Sequence, residues 1–117
     1  MVSHAGVTKT WCMNTFGGIL SPEEQDCGQF LTEHFQWKPK DFGFKGRDPY
    51  GDSYEASPVW VRPASLSKDG ISILHIVGHT RVKNINLPKE DSNMILIDTS
   101  GRDYLEYNNG EFKIHNL

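Results

Sequence analysis

Two histidines in this chain share the same local surroundings. One stands in Ser3-His4-Ala5-Gly6, the other in Ile76-Val77-Gly78-His79-Thr80. Each follows a stretch that reads as extended: a short stub before His4, and the apolar run Ile71–Val77 before His79. Strand ends in layered α/β folds are where sites are built, and a neighbouring glycine lets the backbone turn tightly there. Neutral imidazole is a good ligand for zinc, iron, manganese or nickel. Two imidazoles converging from two strand ends would therefore form half of a metal site, whereas either histidine alone reads as an ordinary turn residue. His34 (on an apolar helix stripe), His75 (inside the apolar run) and His115 (near the end of the sequence) read as structural. Cys12 and Cys27 are not a Cys-x-x-Cys pair and are too few for a disulfide framework. They read as two unpaired core thiols, which points to a cytoplasmic location.

The elements that must position these side chains follow from patterning. Ser21-Pro22-Glu23-Glu24 offers an N-cap, a proline at the first helical position and an acid at the third. Behind it Cys27, Phe30, Leu31, His34 and Phe35 form one apolar stripe, so a helix is expected over about 22–36, ending before Pro39. Residues 37–58 carry three glycines and prolines at 39, 49 and 58. They read as a long irregular loop, ordered by its aromatics, that covers either substrate or exposed core. Pro58–Pro63 reads as a short extended piece. Ile71–Val77 is nearly continuously apolar and suits a strand covered on both faces, and Met94–Asp98 is a second buried strand. Asp98-Thr99-Ser100-Gly101 reads as a turn, Arg81 as a solvated loop arginine or else a contact to an anionic substrate, and Trp11, Trp37 and Trp60 as core and loop packing. Asn108-Asn109-Gly110 between the alternating runs Tyr104–Tyr107 and Glu111–Ile114 signals a hairpin. The order of elements is short strand, helix, loop, four strands: an α+β arrangement with a mixed sheet and a C-terminal β-hairpin, in one domain spanning 1–117.

Composition narrows the function. The chain has 117 residues, 37% of them hydrophobic and 11% aromatic, enough for one ordinary core. Twelve basic and fifteen acidic residues give a net charge of −3 with no basic stripe, which argues against a nucleic-acid partner. No apolar run approaches the roughly 18 residues of a membrane helix, and the first residues lack the basic and apolar regions of a signal peptide.

Four segments, Ser3-His4-Ala5-Gly6-Val7, Pro58-Val59-Trp60-Val61-Arg62-Pro63, Ile76-Val77-Gly78-His79-Thr80 and Ile97-Asp98-Thr99-Ser100-Gly101, come in the order and rough spacing of a known family. Together they resemble the C-terminal half of calcineurin-like metallophosphoesterases, in the branch of the phosphoprotein phosphatases and the symmetrical dinucleoside-tetraphosphatases. The resemblance implies part of a β-sandwich flanked by helices, with a dinuclear centre of manganese, iron or zinc at the strand ends. It implies that His4 and His79 ligate one and the same metal and that Arg62 binds substrate phosphate, a role a guanidinium fills by forking onto two oxygens. In such a centre two metals hold a bridging hydroxide for in-line attack on phosphorus.

The departures from that family define the expectation. Its Asp-x-His, Gly-Asp-x-x-Asp and Gly-Asn-His-Glu motifs are absent: Gly51-Asp52 is followed by Ser53-Tyr54-Glu55, and neither Asn14 nor Asn93 precedes a histidine. Measured against the family, the sequence begins partway through the central strands. A dinuclear site needs about six or seven protein ligands, carboxylates among them, and two imidazoles alone hold a divalent ion weakly or not at all. The expected function is the C-terminal portion of a metal-dependent phosphoesterase, acting on phosphomonoesters or nucleotide phosphoanhydrides when complete and inactive alone. Its bare sheet edge would be covered by a separate N-terminal chain or by self-association. The alternatives are a non-catalytic remnant that serves oligomerisation or partner binding, and an unrelated small α+β domain.

Overall fold

Thr8 opens the first helix. Its hydroxyl accepts a hydrogen bond from the Trp11 amide at 3.1 Å and donates to the Tyr54 carbonyl at 2.6 Å. The cap starts a helix over Lys9–Phe16, which Gly17 ends in the left-handed conformation at φ 74. Trp11 and Cys12 face inward from it. The computed structural model describes residues 1–117 and places this helix, α1, after a two-residue strand, β1 (Val2–Ser3). α1 is an element the patterning above does not mark; its signals are Thr8 three residues before Trp11, and Gly17 just past the last apolar position.

The next helix, α2, spans Cys27–Trp37, shorter at its start than expected. Asp26 is the reason: its carboxylate accepts from the Gln29 amide at 3.0 Å and caps the helix there. The Ser21 carbonyl accepts from Glu24 and Gln25 in a separate turn. Two capping sequences competed, and the second won. A 3-10 turn over Pro39–Gly43 follows. Cys27, Leu31 and Phe42 then close over Val7, Trp11, Cys12, Leu20 and Ile71 to form the larger of two cores.

Pro58–Pro63 is not extended. The Trp60 and Val61 amides both turn back to the Ser57 carbonyl, and Pro63 becomes the first residue of a helix, α3 (Pro63–Asp69). A proline at this position has no amide to satisfy and a preset φ. Leu66 of α3 joins Ala5, Ala56, Val61 and Val77 in the second core.

The central strand, β2, runs His75–Arg81, not Ile71–Val77. A strand exists only where neighbours pair with it. Pairing begins with the His75 amide on the Asn93 carbonyl and the Ile76 amide on the Met1 carbonyl. Ile71 is fully buried, but as loop. β3 (Met94–Asp98) forms as expected and pairs with β2 in parallel, as β1 does on the other side, giving a parallel sheet of order β1-β2-β3. β4 (Asp103–Asn108) and β5 (Glu111–Asn116) form a separate antiparallel hairpin. The fold is α+β with both kinds of strand pairing. No helix is long and apolar enough to cross a membrane. Trp11 lies in the core and Trp60 is half-buried, but Trp37 is 75% exposed at the end of α2 and packs into no core.

Candidate functional site

β1 and β2 are adjacent parallel strands, with Val2 opposite Ile76 and Ser3 opposite Val77. The residues that follow each pair therefore emerge side by side. Beyond Val77, β2 bulges: its pairing with β3 jumps from Val77–Leu96 to Arg81–Asp98, so four steps of β2 match two of β3. A bulge re-aims the side chains it carries. Here the amides of Gly78 and His79 both donate to the His4 carbonyl, at 3.0 and 2.9 Å, and the His79 ring turns toward His4. His4 Nε2 lies 2.9 Å from His79 Nδ1, with the ring centroids 4.7 Å apart. On the other side of His4, Gly6 takes φ 102, and a Cβ there would stand 2.5 Å from a Leu66 methyl. Only glycine fits this approach.

Arg62 reaches the same place from the loop before α3. Its Nε donates to the Tyr50 carbonyl at 2.7 Å and its Nη1 to the Thr80 hydroxyl at 3.1 Å. Nη1 also lies 3.5 Å from the His79 carbonyl. Nη2 makes no hydrogen bond within the chain, so one arm of the fork stays available to an anion. The segment that carries Arg62 is pinned from several directions. Asp48 accepts from the amides of Tyr50 and Asp52. Gly51, at φ 87, lies so close to the Trp60 carbonyl that a Cβ would meet its oxygen at 2.1 Å. Asp52 accepts from the Ser65 amide at 3.2 Å and the Ser65 hydroxyl at 2.6 Å, capping α3 from outside the helix. The three residues singled out in the sequence thus lie together, at one end of the sheet.

The electrostatics favour neutral imidazole at His79. Burial, then the Arg62 guanidinium, then His4 push its pKa below the ordinary histidine value, opposed by the Trp60 backbone. Its Nε2 is buried and finds no hydrogen-bond partner of good geometry. Trp60 packs edge-on against the His79 ring at 5.9 Å, and the Lys45 ammonium sits 4.2 Å over Trp60. The site is thus a His79 imidazole held toward its neutral form, facing the His4 ring, beside fixed positive charge.

Two facing imidazole nitrogens 2.9 Å apart share one proton in the absence of a metal. The same separation is about that of two nitrogens on adjacent positions of one ion with bonds of roughly 2.0–2.1 Å. By separation alone, the two nitrogens match a cis pair of ligands on one ion. No third His, Cys, Asp or Glu stands with it, so an ion held there would take its remaining positions from water, an anion or another polypeptide.

The other histidines lie elsewhere. His34 pairs with Asp41 at 2.7 Å between α2 and the 3-10 turn. His75 is fully buried at the start of β2, and His115 pairs with Glu106 at 2.5 Å on the hairpin. Asp98–Gly101 is the turn expected, with Ser100 at φ 60. Arg81 is exposed at the end of β2. Sequence reasoning missed Thr80 and the Tyr50 carbonyl, the two groups that fix Arg62. Thr80 adjoins His79, but nothing in the residue types singles out a backbone carbonyl. No family model, curated protein or solved structure matches the chain.

Proposed function

We propose that this chain contributes an imidazole pair and a phosphate-binding arginine to a metal-dependent phosphoesterase, with hydrolysis requiring ligands from a second polypeptide. The observation that carries this reading is the 2.9 Å approach of His4 Nε2 to His79 Nδ1, with Arg62 fixed beside them. In this reading β1–β3 belong to one sheet of a larger sandwich, His4 and His79 hold one divalent ion, and the free arm of Arg62 binds phosphate. A bound ion would supply charge neutralisation at phosphorus and a metal-bound water. The chain's own residues hold the phosphate (Arg62), set the guanidinium plane (Tyr50 and Thr80) and keep His79 neutral.

The test is calorimetric titration with zinc and a p-nitrophenyl phosphate assay with manganese. Zinc should bind weakly, and His4→Ala or His79→Ala should abolish binding. Hydrolysis should be undetectable for the chain alone and appear on adding an N-terminal polypeptide that carries the missing carboxylates, in a manner that depends on both histidines. Zinc binding indifferent to both substitutions would overturn the reading.

A second reading is a non-catalytic module that pairs through β1. Val2 is 72% exposed on a two-residue edge strand, and an unpaired edge invites another strand. Light scattering behind size-exclusion tests it: a monomer at all concentrations rules out self-association.

A further inference from the structure

An apolar groove of about 240 Å³ opens beside His4. α2 contributes Leu31 and Phe35 to it, the 3-10 turn Phe42, and the segment before α3 Pro58 and Val59. His4 itself lines the groove and also forms half of the imidazole pair. Groove and pair are therefore continuous through one side chain. The Ala5 amide donates to the Pro58 carbonyl at 2.9 Å, which fixes this wall to the turn that carries His4.

The lining contains no Asp, Glu, Lys or Arg. Its polar groups are few: Ser3 accepts from the Gly6 amide and keeps one O–H, Thr32 donates to the Gly28 carbonyl, and the Met1 ammonium donates to the Leu74 carbonyl. A sugar or a nucleobase placed there would lose its hydrogen bonds to water and gain few in return, which is costly. An apolar ring meets no such penalty. Apolar cavities of about 150 Å³ hold benzene, so this groove has room for a phenyl group.

We propose that the groove seats the alcohol portion of a phosphomonoester, and that this portion is aromatic rather than a nucleoside or a polyol. The inference rests on the reading that His4, His79 and Arg62 receive the phosphate. The phosphate would lie at the imidazole pair and the free arm of Arg62, with the ring against His4, Phe35 and Val59.

The experiment is calorimetric titration, in manganese chloride, with three probes: inorganic phosphate, methyl phosphate and phenyl phosphate. Phenyl phosphate should bind about tenfold more tightly than methyl phosphate, the fold expected from partial burial of one ring. Phe35→Ser and Val59→Ser each replace a side chain that is at most partly buried, and circular dichroism checks that they fold. Both should reduce that preference to about twofold while leaving the affinity for inorganic phosphate unchanged. Equal binding of phenyl and methyl phosphate, with binding still dependent on Arg62, overturns the inference and leaves the phosphate site standing. A phenyl preference that survives in both variants also overturns it, since the ring would then sit elsewhere. If none of the three probes binds, the phosphate site falls, and the inference with it.

Discussion

His75 is fully buried, its Nε2 lies 3.2 Å from the Ile71 carbonyl, and its Nδ1 has no partner. The Nε2–H tautomer donates to that carbonyl, and the second nitrogen has nowhere to place a proton. Burial therefore holds the His75 pKa below the ordinary value of 6.5, and the proton prefers the unfolded chain. The stability this contributes is present above about pH 6.5 and is lost as pH falls through the interval down to the folded-state pKa. Urea unfolding at pH 7.5 and 5.5 should show the protein less stable at the lower pH, with a slope from this residue of at most about 1.4 kcal/mol per pH unit. His75→Gln should be less stable at both values but flatter with pH; an unchanged slope would mean that another group controls the acid limit. His79 shares the sign without the depth. Its depressed pKa favours the neutral imidazole where a free one begins to protonate.

At the scale of elements, the start of α3 decides where Arg62 points. Arg62 is the N-cap residue of α3 but gives it no side-chain cap. Asp52, ten residues earlier in the chain, supplies that bond through Ser65. Asp52→Ala should cost about 1 kcal/mol of stability, as loss of a helix cap does. It should also weaken phosphate binding at Arg62 more than zinc binding at the histidines, which thermal melts and paired titrations would separate. This coupling was not legible in the sequence. Gly6 marked the turn that follows β1, but His79 stands inside β2, at its bulge, and not in a turn past a strand end; the apolar run before it overlaps only the start of that strand. The clamp on Arg62 uses a backbone carbonyl and a hydroxyl brought close only by folding, so no spacing advertises it. Errors in element boundaries have the same origin. Asp26 outcompeted Ser21 as a cap, Pro63 opened a helix where a short extended piece was expected to end, and β2 began where its neighbours did rather than where its apolar residues did.

At the scale of the whole molecule, two cores lie on either side of the chain that carries Ala5 and Val7, one built on α1 and α2 and the other on α3 and β2. The hairpin β4–β5 stands apart from both sheet and cores, hydrogen-bonded strand to strand only within itself. The radius of gyration is 14.1 Å, somewhat above the roughly 13 Å of a compact chain of this length, as a projecting arm would produce. Its tip, Asn109 at φ 48 and Gly110 at φ 85, is the tight turn that matches strand twist, and residues 106–111 are all exposed. The tip is therefore a natural handle. A short epitope or a dye-bearing cysteine introduced between Asn109 and Gly110 should shift the melting temperature by no more than a degree or two and leave zinc titration unaltered. The protein could then be immobilised or followed by fluorescence from a point remote from the three-stranded sheet and from His4 and His79.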